Sequence, residues 1–141
     1  MAPDKRMVNF ISKRHILTLA TATAEGVPYC AACFYAYDNQ RNVIIFTSDD
    51  TTTHATQMAQ NSNVALAINL DTKVVGRVQG IQICGIARRG EECDKAEYIK
   101  RFPFAAVAPL NIWVVEPTFM KFTDNTLGFG KKLIWNKEPL E

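Results

Sequence analysis

Runs of like charge are missing from this sequence. Sixteen lysines and arginines against fourteen acidic residues leave a net charge of +2, with no basic stripe. A nucleic-acid backbone is bound through clustered cations, so this balance argues against that class of partner. Nothing approaches the roughly 20 consecutive apolar residues that a spanning helix needs. Residues 1–13 alternate charged and apolar side chains and carry no signal-peptide core. A cytoplasmic protein without a membrane partner is the expectation. No G-x-G-x-x-G motif is present, and strands are not followed regularly by helices, which speaks against a Rossmann-type nucleotide site. Histidine occurs twice, and no Ser/His/Asp or Cys/His set falls in the strand–turn–helix setting of a hydrolase.

Cysteine is sparse, with Cys30, Cys33, Cys84 and Cys93 the full set. Cys30 and Cys33 form a C-x-x-C pair, but they lie in a strand-like run where positions three apart face opposite sides. A redox pair needs a helix N-terminus, and a structural zinc needs a second pair at similar spacing. Neither is supplied, so the reading is four free thiols and no metal site.

What the chain does contain is a globular composition, 48% hydrophobic and 21% charged over 141 residues. That length suits one domain covering 1–141. Met7, Val8, Phe10 and Ile11 recur at helical spacing within residues 4–13, which predicts a short amphipathic helix. Ile16 to Thr21 reads as a strand, Ala24 to Val27 as a turn, and Pro28 to Tyr37 as one long strand. Asp38 to Asn42 is a second turn before the strand Val43 to Thr47. A helix with the stripe Ala55, Met58 and Ala59 follows, and then the strand Val64 to Leu70. Arg77 to Arg88 is a strand broken by Gly80 and Gly85, which suggests a bulge. Glu91 to Phe102 is a helix with Cys93, Ala96, Ile99 and Phe102 at spacing three, stopped by Pro103. Leu110 to Val115 and Thr118 to Thr123 are separate strands around Glu116-Pro117, and Lys131 to Trp135 is the last. Many strands with only two or three helices predict a mainly antiparallel β-barrel with helices packed outside.

The densest chemistry lies where the strand Val43 to Thr47 runs out. Thr47, Ser48, Thr51, Thr52 and Thr53 place five hydroxyls, with His54, inside eight residues, and a helix begins at about Thr53. Such residues cap helices because their oxygens accept from unpaired first-turn amides. The same amides and the helix dipole make a site for anions.

Three stretches, with their order and spacing, resemble the FMN-binding split-barrel superfamily typified by pyridoxamine 5′-phosphate oxidase, most closely its uncharacterised UPF0306-type branch. They are Gly26-Val27-Pro28-Tyr29; Phe46-Thr47-Ser48 with Thr52-Thr53-His54-Ala55 and Asn63-Val64-Ala65-Leu66; and Gln82-Ile83-Cys84-Gly85-Ile86-Ala87. Glu116-Pro117 leading to Phe122-Thr123-Asp124 is a weaker fourth. The resemblance implies a split β-barrel that forms a homodimer with FMN in clefts between subunits. The flavin phosphate would be held at Thr47, Ser48, Thr52, Thr53 and His54. Ala31, Ala32 and Cys33 would line the ring, and Gln82 and Lys132 would be further flavin contacts. The family's basic phosphate ligands are replaced here, by Thr52-Thr53-His54 at the helix and by apolar residues around Ala31 and Ala36. Pyridoxamine phosphate itself is therefore not the expected substrate. The implied function is an FMN-dependent oxidoreductase acting on a small organic molecule. A non-enzymatic flavin carrier or sensor, or a haem-binding barrel using His15 or His54 as axial ligand, are the alternatives.

Overall fold

A computed structural model describes residues 1–138. The chain runs α1 (Lys5–Lys13), β1 (Ile16–Ala22), β2 (Pro28–Phe34), β3 (Ala36–Asp38), β4 (Val43–Thr47), α2 (Thr53–Gln60) and β5 (Asn63–Asn69). It continues with β6 (Gln79–Arg89), α3 (Glu92–Arg101), β7 (Ile112–Asp124) and β8 (Lys132–Asn136). The strands form one sheet in the order β2-β1-β5-β6-β7-β4-β3, with β8 also paired to β7. The pairings are antiparallel. The sheet curls round a core without closing, a mainly β split barrel with three flanking α-helices.

Alternation explains most of that core. Leu17 and Leu19 of β1, and Val64, Leu66 and Ile68 of β5, point inward with Ile81 and Ile83 of β6. Met7, Phe10 and Ile11, the apolar face of α1, cap one end of the same cluster. Strand β4 is different: Val43, Ile44, Ile45 and Phe46 are all buried. Ile44 and Phe46 join the barrel core, while Val43 and Ile45 join a second cluster with Tyr98, Ala105 and Val114 beneath α3. A strand covered on both faces reads as a continuous apolar run, not an alternating one.

Three sequence expectations need correction. The long strand from Pro28 to Tyr37 is two strands, because the chain changes partner at Tyr35: β2 pairs with β1 and β3 with β4. Tyr35 is fully buried at the break, its amide donating to His15 O (3.0 Å) and its hydroxyl to Ile11 O (2.6 Å). Conversely, the two strands expected around Glu116-Pro117 are one, β7. Pro117 is accommodated by a register shift opposite Cys84 and Gly85, and a Cβ on Gly85 would lie 2.7 Å from Glu116 O. Only glycine allows that approach. The bulge falls at Gly85 and not at Gly80.

The third correction concerns α3. Its buried residues are Asp94 and Tyr98, not the stripe from Cys93 through Ala96, and Cys93 and Ala96 are exposed. Asp94 receives Arg41 Nη2 at 2.8 Å, Arg88 Nη1 at 3.0 Å and the Glu91 amide at 2.8 Å. A buried carboxylate with this many donors anchors the helix that an apolar stripe would otherwise hold. On α2, Ala55 and Met58 are buried as expected, but Ala59 is exposed. None of the described helices is long and apolar enough to cross a membrane.

Candidate functional site

The turn between β4 and α2 is built by its own side chains. Asp49 accepts from the Thr51 amide and hydroxyl, both at 2.8 Å, and those bonds hold its carboxyl below the usual range. Thr52 is the N-cap of α2: its hydroxyl accepts from the Ala55 amide (3.2 Å) and donates to Asp49 O (2.8 Å). The turn is tied to the start of β7 by Ser48 N to Asn111 O (3.1 Å) and by Asn111 N to the Thr47 hydroxyl (3.2 Å). Gln57 fixes the helix to β1 through the Thr21 hydroxyl at 2.7 Å. Within this frame the amides of Thr53 and His54, the first two of α2, have no hydrogen-bond partner among the described residues. They are donors turned toward the end of the helix, where the dipole favours negative charge.

Beside the turn lies a cleft of about 310 Å³. Ala32, Cys33 and Phe34 of β2 form one wall; Thr47, Ser48, Thr52 and His54 form the other. Asp49 and Tyr98 complete the lining. Ser48 is buried, and its Oγ lies 2.7 Å from His54 Nε2, with the Thr52 hydroxyl at 3.4 Å from the same nitrogen. Burial pushes the His54 pKa below its ordinary 6.5, so at neutral pH the ring is uncharged and acts through hydrogen bonds. Burial likewise pushes the Cys33 thiol up, against the opposing effect of the Ser48 hydroxyl. No lysine or arginine lines the cleft. Arg89, whose guanidinium reaches the turn, is committed to Asp50 at 2.8 Å and stacks 4.3 Å from the Trp113 ring centroid. The arrangement offers an oxyanion neutral donors and a helix N-terminus, with no fixed positive charge.

Six residues singled out in the sequence meet here: Ala32, Cys33, Thr47, Ser48, Thr52 and His54. Thr53 has an exposed side chain and brings only its amide to the helix end. Ala31 pairs with Leu19 and does not line the cleft. Gln82 is exposed on β6 between Ala67 and Lys121, and Lys132 is exposed on β8 opposite Thr123, so neither lines this cleft within one chain. Phe34, Asp49 and Tyr98 were not anticipated as lining residues. Tyr98 carried no local signal, since it comes from α3, remote in sequence from the turn it faces.

Comparison with known proteins agrees with this architecture. A family model described as pyridoxamine 5′-phosphate oxidase matches residues 3–123. The UPF0306 protein YhbP of Salmonella schwarzengrund is 40% identical over 133 residues, covering 92% of this chain and 90% of its own. Among solved structures, a haem-binding protein from Mycobacterium smegmatis superposes with a TM-score of 0.74 at 18% identity, over 90% of this chain and 55% of that one. HutZ, the haem storage protein of Vibrio cholerae, gives 0.64 at 17%, over 83% and 91%. These structural likenesses concern the fold. With a sheet that curls without closing, a capped strand–turn–helix at its rim and a family match over most of its length, the chain belongs to the pyridoxamine 5′-phosphate oxidase family of split barrels.

Proposed function

We propose that this protein binds FMN, with the flavin phosphate on the β4–α2 turn, and acts as an oxidoreductase on a small organic substrate in a cleft between two copies of the chain. The observation that carries the reading is the pair of unpartnered amides at Thr53 and His54, beside the hydroxyls of Thr47, Ser48 and Thr52. These donors suit a phosphate: hydrogen bonds to a charged acceptor contribute roughly 1.5–3 kcal/mol each, even without a guanidinium fork. Ala32 and Cys33 present little bulk along the edge of β2, where a flat ring needs a thin wall. Bound FMN would supply the two-electron chemistry; the chain's task is to orient it and shape the pocket. Gln82 and Lys132, remote from the cleft within one chain, would reach the cofactor from the second copy. With no lysine or arginine in the cleft lining, a phosphorylated substrate is not favoured.

Haem is the second reading, favoured by the two structural neighbours that bind or store haem. The histidines of this chain suit it less well. Arg101 Nη2 lies 2.8 Å from His15 Nδ1. A guanidinium only donates, so that nitrogen accepts and Nε2 carries the hydrogen, leaving no lone pair for iron. His54 Nε2 is engaged by Ser48.

Absorbance of the protein purified without added cofactor, followed by flavin titration, tests the proposal. FMN should bind far more tightly than riboflavin. Thr53→Pro should weaken FMN about tenfold by removing one amide donor. Proline is tolerated at the first helical position, and Thr52 already has the extended backbone (φ −70°, ψ 152°) that a following proline requires. Thermal stability and riboflavin affinity should therefore hold. Equal affinity for FMN and riboflavin would reduce the turn to a helix cap, and a Soret band would replace flavin with haem.

A further inference from the structure

A second cleft, of about 340 Å³, lies between α1 and the β6–β7 pair and shares no lining residue with the first. Its floor is aromatic: Phe10 and Phe122 pack with ring centroids 5.1 Å apart. Arg14 lies over Phe10, its guanidinium carbon 4.8 Å from the ring centroid. Of the other described guanidiniums, only the exposed Arg77 also lacks a partner among the described residues; the rest are committed. Arg6 pairs with Asp4, Arg41 and Arg88 with Asp94, and Arg89 with Asp50. Arg101 donates to the carbonyls of Ser12 and Arg14. Arg14 has no such partner. Its Nε is shielded from water without an acceptor, and no described carboxylate pairs with its fork. Packing on an aromatic face orients this charge; a counter-ion does not.

Two other groups define what such a cation would receive. Lys13 lines the same cleft, exposed and without an ion-pair partner among the described residues. Asp124 stands in the wall and is buried; its Oδ1 accepts from the Thr126 amide (2.9 Å) and hydroxyl (2.6 Å), while its Oδ2 makes no hydrogen bond among the described residues. We propose that this cleft binds a small carboxylate that carries a hydroxyl or ammonium group beside it. The ligand's carboxylate takes the Arg14 fork, with Lys13 adding charge, and its donor group reaches Asp124 Oδ2. A fork matches two carboxylate oxygens at once. The fixed negative charge of Asp124 works against a dianion such as phosphate and rewards a donor.

The assignment is independent of the flavin reading and is tested on the full chain by calorimetry with glycolate, acetate and inorganic phosphate. Glycolate should bind with a Kd on the order of 1 mM, as suits a ligand of so few atoms, and acetate several-fold more weakly. Arg14→Gln should weaken glycolate about tenfold or more. Lys13→Gln, at an exposed side chain, should weaken it about threefold with folding intact and FMN affinity unchanged. Asp124→Asn, which can still accept from Thr126, should erase the preference for glycolate over acetate. No saturable glycolate binding, tighter binding of phosphate than of glycolate, or affinities indifferent to both Lys13→Gln and Asp124→Asn would each overturn the proposal.

Discussion

His54 sits against the buried Ser48 hydroxyl, on the first turn of a helix whose end favours anions. Burial keeps the folded-state pKa below the ordinary 6.5. The unfolded chain therefore takes up more protons as pH falls below that value, so the stability from the neutral ring is present above pH 6.5 and is lost as pH drops through the folded value. A bound phosphate reverses the balance, because a dianion beside the ring favours the imidazolium. The apo protein should accordingly lose stability on mild acidification, and His54→Gln should lose less of it. In the flavin-bound protein, the ratio of FMN affinities between wild type and His54→Gln should widen from pH 8.5 to pH 5.5. Denaturation midpoints and flavin titrations across that range measure both slopes. A flat affinity ratio would remove His54 from the phosphate site. The identity of these residues was legible in the sequence because a cap is a local device: Thr52, Ser48 and His54 lie within seven residues of one another. What could not be read locally is that Tyr98, more than forty residues on, closes the same cleft.

Helix α3 shows how an element can be recognised for a reason that is not the one holding it. Its length and its stop at Pro103 were plain, but its apolar positions at spacing three suggested a greasy face. The chain turns it instead so that Asp94 faces inward, with Tyr98 packed on the second core. Burial pushes Asp94 up, but the Glu91 amide and the guanidiniums of Arg88 and Arg41 outweigh it and hold the carboxylate below its ordinary 3.8. Sequence periodicity has no means of finding such an anchor, because Arg88 lies outside the helix on β6 and Arg41 comes from a turn 53 residues earlier. The same limit hid the continuity of β7, where Pro117 is admitted only by a glycine on the neighbouring strand. Asp94→Ala removes a helix-capping acceptor and leaves two arginines without their shared partner. Both guanidiniums are about one-third exposed, so water recovers part of the loss. A destabilisation of about 2–3 kcal/mol is expected. Urea unfolding at pH 7 reads it directly, and an unchanged midpoint would show that the network is only decorative. Because Asp94 is depressed, this stability persists above pH 3.8 and is lost as pH falls through the lower folded value.

At the scale of the molecule, the cleft beside the β4–α2 turn opens onto surface that water solvates poorly. Phe34 on its rim is 57% exposed and meets Phe102 edge-on at 6.0 Å, which in turn meets Phe104 at 6.2 Å. Phe104 is 78% exposed, and Val107 and Ile16 are also bare. Exposed aromatics joined into one patch mark an association surface. A dimer should therefore persist at micromolar concentration in sedimentation equilibrium. Phe104→Asp should shift it toward monomer and weaken FMN in parallel, with the fold intact by circular dichroism. A wild-type monomer that retains flavin would sink the shared-cleft reading. The strand order carries a further consequence, in the timing of synthesis. Both β4 and β6 take β7 as a neighbour, and β7 spans Ile112–Asp124, near the end of the chain. During translation β4 emerges with its partner β7 still inside the ribosome. Val43 to Phe46, the strand destined for burial on both faces, must wait unpaired on one side until β7 has been made.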